Sequence, residues 1–215
     1  MTLDRFRSGL IPDSTLVWRL GANVPDKWTV PAYVDGMPYC LPASDQGDKP
    51  RCAAFALAAG CEARVWRLSD SYAQIDPFPL YVKAKEIDGM PDTDGTTLTA
   101  VSQAAISLGV LPCGAQIRIV TNENDVRYAC HTRSGCLAGF NITRDWMTST
   151  GQTIVDTGAE SVGGHAVWIC GYDKDTVWIC NSWGTDWMWN GFAKLPWAAF
   201  RKQFMSGVIW EGIPR

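Results

Sequence analysis

Histidine is scarce in this chain, and its cysteines lack the spacing of a common metal site. The 215 residues include two histidines, His131 and His165, and eight cysteines, no two of which form a Cys-x-x-Cys pair. Protein zinc sites usually draw their ligands from such pairs or from clustered histidines. We therefore predict that the protein uses neither a metal ion nor another cofactor.

The sequence also lacks an excess of basic residues and any long apolar run. Its 19 Lys and Arg against 22 Asp and Glu give a net charge of −3, which disfavours a nucleic-acid partner. The longest uncharged stretch, residues 95–117, contains Pro112 and many polar side chains, so it does not predict a membrane-spanning helix. We predict a globular protein with no membrane partner.

Residues 1–14 have no apolar core of the kind found in signal peptides. We therefore expect a cytoplasmic protein, with non-classical export left open. In a reducing compartment most of the cysteines are expected to be small, buried thiols rather than disulfides. Cys130 and Cys136 could still pair, and the sequence does not decide this.

The most informative stretch is residues 163–187. Two short apolar runs, 166–170 and 176–180, flank a polar cluster centred on Asp173, which predicts a β-hairpin buried on both faces. His165 and Asn181 are equidistant from Asp173, so they are predicted to lie opposite each other at the open end of the hairpin. Each residue alone is more often structural, as a strand-end cap or a turn residue. Residues upstream, described below, favour a catalytic role for both.

The first half of the chain is predicted to be mainly helical. Residues 52–68 are rich in helix formers and apolar on nearly all sides, which predicts a central helix. A second helix is expected over 79–87 and a third from Thr96 or Thr97 to about Leu108.

The second half is predicted to be mainly β. Strands are expected at 115–121, 137–142, 191–195 and 208–210 besides the hairpin, with a short helix over 123–132. A helical half followed by a β half indicates an α+β fold. We predict an N-terminal arm at 1–37, a helical lobe at 38–112 and a mainly β lobe at 113–215.

Cys52 is the candidate nucleophile because it begins the central helix. Unpaired N–H groups and the helix dipole stabilise a thiolate at such a position. If the two halves meet there, His165 can take the thiol proton and Asn181 can orient the imidazole ring. Gln46, in the preceding loop, can offer an amide N–H to an oxyanion beside the backbone N–H of Cys52.

Together these residues resemble the papain-like cysteine peptidases of the bacterial or phage-like type. The resemblance covers residues 38–210 and rests on these segments: DQGDKPRCAAFA (45–56), DTDGTTL (92–98), GGHAV (163–167), GYD (171–173), NSWGTDW (181–187) and NGF (190–192). It implies a two-lobed fold with a central nucleophile helix and a barrel-like β lobe.

The resemblance also implies roles for individual residues. Cys52, His165, Asn181 and Gln46 would form the catalytic set of a thiol peptidase. Substrate-binding positions are implied for Gly95, Gly164 and Trp183, and Trp183 would in addition shield the Asn181–His165 hydrogen bond from water.

The chain departs from the family pattern around the nucleophile. KPRCA (49–53) stands where the family has Cys-Gly-Ser-Cys-Trp, so the cysteine of a disulfide typical of secreted members is missing. Arg51 is expected to place positive charge beside the thiol. Residues 1–37 are too few for the family's large propeptide, so we expect a partner protein in its place if activity is restrained.

The leading prediction is a cysteine-type endopeptidase that acts on protein or peptide substrates. One alternative is an amidase or transpeptidase acting on cell-wall peptides, since such enzymes share the thiol at a helix start and the histidine at a strand end. Another is a papain-like fold kept as a binding or assembly module with little turnover. The replacements at Pro50 and Arg51 and the aromatic residues near Trp187 and Trp189 motivate that alternative.

Overall fold

Helix α1 (Cys52–Ser69) runs through the centre of the protein, which confirms the helix predicted over 52–68. A computed structural model describes residues 9–13, 21–22 and 24–212 of the chain. Parts of the predicted arm, residues 1–8, 14–20 and 23, lie outside this description, as do residues 213–215. Twelve of the α1 residues are buried, in agreement with the apolar sequence.

Two further helices pack beside α1, and side-chain caps fix where they begin. Helix α2 (Pro77–Asp88) starts after Asp76, whose carboxylate accepts a hydrogen bond from Phe78 N at 2.9 Å. Helix α3 (Leu98–Ser107) starts after Thr97, whose hydroxyl accepts from Ala100 N at 3.0 Å. The cap of α3 is thus Thr97 rather than Thr96.

The β half forms one antiparallel sheet in the order β1-β6-β2-β3-β4-β5. The strands are β1 (Gln116–Val120), β2 (Cys136–Thr143), β3 (Ser161–Tyr172), β4 (Thr176–Cys180), β5 (Phe192–Pro196) and β6 (Phe204–Glu211). β1 and β5 are the opposite edges of an open sheet, so the predicted barrel-like β lobe holds in a loose sense. Each edge is instead met by a connecting segment, through bridges from Gly21 to Ile119 and from Thr153 to Lys194.

Three more helices accompany the sheet. Helix α4 (Glu123–Arg133) confirms the helix predicted over 123–132, and Asn122 caps it. Helices α5 (Asp145–Thr148) and α6 (Trp197–Gln203) were not predicted. Both are short and begin without a side-chain cap in the described structure, so the sequence carries little local signal for them.

Both faces of the sheet are covered, as predicted for the hairpin. Alternate residues of β3 and β4 point to opposite sides: Ala166, Trp168 and Cys180 pack with the helices α1–α3. Val167 and Ile179 pack on the other side, in a core that includes residues of α4 and α6. The hairpin is therefore fixed by packing from two directions, which gives its end a rigid position.

Close packing of α1 against β3 sets the distance between the two halves of the site. A side-chain Cβ at Gly60 of α1 would lie 2.4 Å from the Trp168 ring of β3, so only glycine allows this approach. The Trp168 indole in turn stacks on Trp210 with 5.9 Å between ring centroids. The start of α1 is thereby held beside the part of β3 that carries His165.

The eight cysteines are free thiols, so Cys130 and Cys136 do not form a disulfide in this structure. Both side chains are fully buried, as expected for small apolar residues. Within the part of the chain that the structure describes, no helix combines the length and the apolar character needed to span a bilayer.

Candidate active site

Cys52 is the first residue of α1, and its side chain is completely buried. The backbone N–H groups of Ala166, Gly9, Ala53 and Cys52 lie near the sulfur. Burial raises the pKa of the Cys52 thiol to about 11, which outweighs the lowering by these N–H groups. In this closed arrangement the group is a neutral thiol lying beside Ala166, the residue that follows His165.

His165 and Asn181 meet in the core at the end of the hairpin. The distance from His165 Nε2 to Asn181 Oδ1 is 2.7 Å, and Oδ1 also accepts a hydrogen bond from Ser182 N at 2.8 Å. An amide oxygen accepts only, so Nε2 carries the proton and Nδ1 has the lone pair. Nδ1 is buried and has no hydrogen-bond partner among the described residues. The imidazole is therefore held in the tautomer that can receive a proton at Nδ1.

The two residues meet in a different register from the one predicted. Trp168 pairs with Cys180 and Tyr172 with Val177, and the register shifts between Ile169 and Gly171. The hairpin is thus not centred on Asp173, and His165 and Asn181 are not directly opposite. Because Asn181 follows the last residue of β4 and His165 lies three residues before Trp168, their side chains meet beyond the paired part of the hairpin.

Aromatic rings enclose the imidazole. The ring centroid of Trp183 lies 4.6 Å from that of His165, and Trp146 contacts the imidazole edge-on at 6.3 Å. Trp187 packs on Trp183 in turn, with centroids 5.3 Å apart. Burial lowers the pKa of His165 to about 4, although the Asn181 hydrogen bond acts in the opposite direction. The rings exclude water from the His165–Asn181 hydrogen bond.

Gln46 is fixed beside the start of α1 by contacts at both ends of its amide. Its Oε1 accepts a hydrogen bond from the Ser182 hydroxyl at 2.6 Å, and its Nε2 donates to Lys49 O at 2.8 Å. The backbone of Gln46 is also bonded, from its N–H to Ser182 O at 2.9 Å. These contacts direct the NH₂ end of the amide toward the loop that leads into Cys52.

The Arg51 side chain packs against α2, whereas the sequence predicted its charge beside the Cys52 thiol. Its guanidinium lies 4.7 Å from the ring centroid of Phe78 and 5.6 Å from that of Tyr81, both on α2. Such cation–π contacts hold the charge against the aromatic surface of α2.

Gly95 and Gly164 lie on opposite sides of residues 9–11. The backbone of this segment is hydrogen-bonded to Thr96 on one side and to Gly164 on the other. A Cβ at Gly95 would lie 1.8 Å from Gly9 O, and one at Gly164 would lie 2.4 Å from Leu10 O. The predicted substrate-binding glycines thus contact the N-terminal segment from two sides.

The structure brings Cys52, His165, Asn181 and Gln46 into one region, with Trp183 beneath His165. Sequence reasoning did not identify the roles of Ser182, which orients Gln46, and Trp146, which encloses His165. Ser182 lies within the NSWG motif, so it could have been noticed, whereas nothing in the sequence around Trp146 marks it. The segment at Gly9 and Leu10 was also missed.

Known proteins resemble this chain in part of its sequence. The sequence profile of the papain family of cysteine proteases matches residues 110–202, which include His165 and Asn181. A cathepsin B-like cysteine proteinase 6 from Caenorhabditis elegans is 35% identical over 80 residues. That match covers 35% of this chain but only 21% of the length of that relative.

Solved structures with the same fold extend over nearly the whole chain. Xylellain, a cysteine protease from Xylella fastidiosa, superposes with a TM-score of 0.81 at 20% identity and covers 96% of both chains. A procathepsin B from Trypanosoma congolense gives a TM-score of 0.76 at 14% identity, covering 97% of this chain and 86% of its own. The predicted resemblance to papain-like cysteine peptidases and the α+β papain-like fold are confirmed.

Proposed function

We propose that this chain, which has the papain-like fold, is a cysteine-type endopeptidase in which Cys52 is the nucleophile. The observation that carries the proposal is the buried 2.7 Å contact between His165 Nε2 and Asn181 Oδ1. It leaves Nδ1 as the proton acceptor on the strand next to the thiol. A thiol at a helix start and an oriented imidazole are the two groups that covalent acyl transfer requires.

The reaction begins when the Cys52 proton moves to His165 Nδ1. The sulfur then attacks the carbonyl carbon of the substrate peptide, and the S–C bond forms as the C=O electron pair moves onto oxygen. Collapse of this oxyanion breaks the C–N bond, and the imidazolium proton passes to the leaving amine. Water, deprotonated by His165, attacks the thioester carbonyl, the C–S bond breaks, and the carboxylic acid leaves.

Two groups are suited to stabilise the oxyanion as hydrogen-bond donors. The backbone N–H of Cys52 lies at the start of α1, and the Gln46 amide is held nearby by Ser182 and Lys49. A neutral amide suits this role because it donates a hydrogen bond without titrating. Fixed donors of this kind typically contribute about 10²–10³-fold in rate.

Asn181 acts on the imidazole rather than on the substrate. As an acceptor from Nε2 it fixes the ring and its tautomer, and it stabilises the imidazolium that forms during the reaction without adding a full charge. The enclosure by Trp183 and Trp146 strengthens this contact by excluding water. Trp183 thus acts as a positioning residue for His165.

The direct test compares Cys52→Ala with Cys113→Ala on a casein-type protein substrate. Cys113 is the matched control because it is an exposed free thiol far along the chain from the site. We expect Cys52→Ala to abolish peptide hydrolysis and Cys113→Ala to leave it unchanged. Equal hydrolysis by the wild type and Cys52→Ala would refute the assignment of the nucleophile.

A binding or assembly module is the second candidate, and one observation favours it. Cys52 and His165 are both 0% exposed, with pKa shifts that keep both groups neutral. If the chain is such a module, the folded protein should hydrolyse no protein or peptide substrate, even under conditions that expose Cys52. Turnover that depends on Cys52 would exclude it.

A further inference from the structure

Arg51 immediately precedes the candidate nucleophile, and its backbone is fixed on both sides. Its N–H donates to Lys49 O at 2.9 Å, and its carbonyl accepts from Ala54 N at 3.0 Å and from Phe55 N at 3.2 Å. Arg51 is the N-cap residue of α1, although its side chain forms no capping hydrogen bond. The start of α1 is thus formed by main-chain contacts, without any contribution from the guanidinium.

Two aromatic rings of α2 hold the guanidinium. Its central carbon lies 4.7 Å from the ring centroid of Phe78 and 5.6 Å from that of Tyr81. Phe78 packs edge-on against Phe55 of α1, with 6.0 Å between the ring centroids. The Arg51 side chain is only partly buried, and Phe78 is 48% exposed. The rings therefore fix the position of the charge and leave it in contact with solvent.

This charge lies beside the surroundings of the Cys52 sulfur. The Gly95 backbone N–H lies near the hydroxyl of Tyr81, one of the two rings that hold the guanidinium. A Cβ at Gly9 would lie 2.5 Å from Pro50 O, and the Gly9 N–H lies near the sulfur. The guanidinium is thus next to the site on the side of α2.

No carboxylate among the described residues forms an ion pair with Arg51. Asp88 and Asp94 are the acids that act on the Tyr81 hydroxyl. The Asp88 carboxylate is 1% exposed and is paired with Lys85 at 3.0 Å. Asp94 is exposed and is not within ion-pair distance of the guanidinium. Arg51 can therefore offer its N–H donors to a carboxylate from outside the chain.

We propose that Arg51 is a specificity-determining residue that binds an acidic side chain of the peptide substrate close to the scissile bond. This inference rests on the proposed function, since it names the substrate class of that same site. Neighbouring Cα atoms are about 3.8 Å apart, and an extended peptide advances about 3.3–3.6 Å per residue. Acidic residues within about three residues of the scissile bond are therefore in reach of the guanidinium.

The aromatic support explains why arginine suits this task better than lysine. A planar guanidinium packs one face on an aromatic ring and keeps the N–H groups at its edge for a carboxylate, which it binds in bidentate geometry. The rings also restrict the side chain before the substrate arrives, so less conformational entropy is lost on binding. A lysine at position 51 would bring the same charge without this geometry.

The experiment measures kcat/KM for pairs of peptides that carry either Glu or Gln at one position, with that position moved along both sides of the scissile bond. In the wild type we expect the Glu peptide to be preferred by about tenfold at one position or more. Arg51→Gln should remove the preference, and Arg51→Lys should retain only a small part of it. The ratio is taken within one protein, so differences in the amount of active enzyme cancel.

A matched control and an opposite variant sharpen the experiment. Arg201→Gln makes the same substitution on α6, at a 60% exposed arginine paired with Glu123, and should leave the ratio unchanged. Asp94→Asn removes the nearby carboxylate that competes for Arg51, so it should raise the ratio. Added salt should lower the ratio in the wild type, because partly exposed charges are screened. A wild-type ratio of one at every position, or equal ratios in the wild type and Arg51→Gln, would overturn the Arg51 proposal.

Binding of the same peptides to Cys52→Ala, followed by fluorescence anisotropy, separates the two proposals. Hydrolysis with a preference that depends on Arg51 supports both. If no peptide is hydrolysed but Cys52→Ala binds Glu peptides more tightly than Gln peptides, and Arg51→Gln removes the difference, the Arg51 proposal stands and the peptidase proposal fails. Hydrolysis without a charge preference leaves the peptidase proposal standing and overturns the Arg51 proposal. Neither hydrolysis nor charge-dependent binding would overturn both.

Discussion

The two halves of the site are buried in different ways. His165 is enclosed by Trp183 and Trp146, which belong to the core of the β half. Cys52 lies at the start of α1, and backbone N–H groups, among them those of Gly9 and Ala166, lie near its sulfur. The imidazole is thus surrounded by aromatic rings, whereas the thiol has main-chain donors around it. The difference indicates that the core of the β half fixes the orientation of the imidazole, and that the backbone around the start of α1 sets the environment of the thiol.

The largest effect on this comparison is expected from His165→Gln. The glutamine can keep a contact with Asn181 but cannot shuttle the thiol proton, so kcat should fall by about 10⁶-fold, as for loss of the histidine of a catalytic triad. Steady-state hydrolysis of a peptide substrate measures this. A fall of less than tenfold would mean that the proton goes elsewhere.

Gln46→Ala should lower kcat by about 10²–10³-fold, because one of two oxyanion donors is lost. Ser182→Ala, which leaves the amide in place but removes its hydrogen bond to Oε1, should have a smaller effect in the same direction. Kinetics on both variants, with KM compared separately, distinguish loss of transition-state stabilisation from loss of substrate binding. Equal rates for wild type and Gln46→Ala would remove Gln46 from the mechanism.

Trp183→Ala should test the core that encloses His165. The side chain is 2% exposed, and truncation of a buried tryptophan costs about 3–5 kcal/mol in the free energy of unfolding. Urea unfolding of the wild type and the variant checks this. A loss within about 0.5 kcal/mol, as for a surface position, would mean that Trp183 does not belong to the packed core.

The pH dependence of stability should show the buried state of His165. Its pKa is lowered from 6.5 to about 4 in the folded protein, so protonation favours the unfolded state. The stability that the neutral, buried His165 contributes is complete above pH 6.5. It is lost as the pH falls toward 4, by about 3 kcal/mol in all. Over the same pH interval, His165→Gln should lose about 3 kcal/mol less stability than the wild type. Parallel urea titrations of the two proteins at pH 7 and pH 4 test it.

Sequence reasoning captured the parts of the fold that have strong local patterns. The apolar run of α1, the cap of α3 and the hairpin with His165 and Asn181 were all predicted. The register of the hairpin was not, because the shift at Cys170 arises from sheet pairing and leaves no signature in the residue pattern. The order of the strands in the sheet was not predicted for a similar reason, since strand patterns do not reveal which strands pair.

The segment at residues 9–11 lay beyond such reasoning altogether. Its contacts with Thr96 and Gly164 are made by main-chain atoms, and any sequence could offer these groups. The visible trace is the need for glycine at 139 and 95, which only the structure connects with residues 9 and 10. The candidate site residues, by contrast, could be named from the sequence, because their proposed chemistry demands particular side chains.

The most direct measurement of the central claim is the pH profile of Cys52 alkylation by iodoacetamide in the wild type, compared with the same profile in His165→Gln. If His165 takes the thiol proton, Cys52 of the wild type should react faster than that of His165→Gln at every pH below the ordinary thiol value of about 8.5. Identical profiles in the two proteins would contradict transfer of the thiol proton to His165 and, with it, the peptidase mechanism.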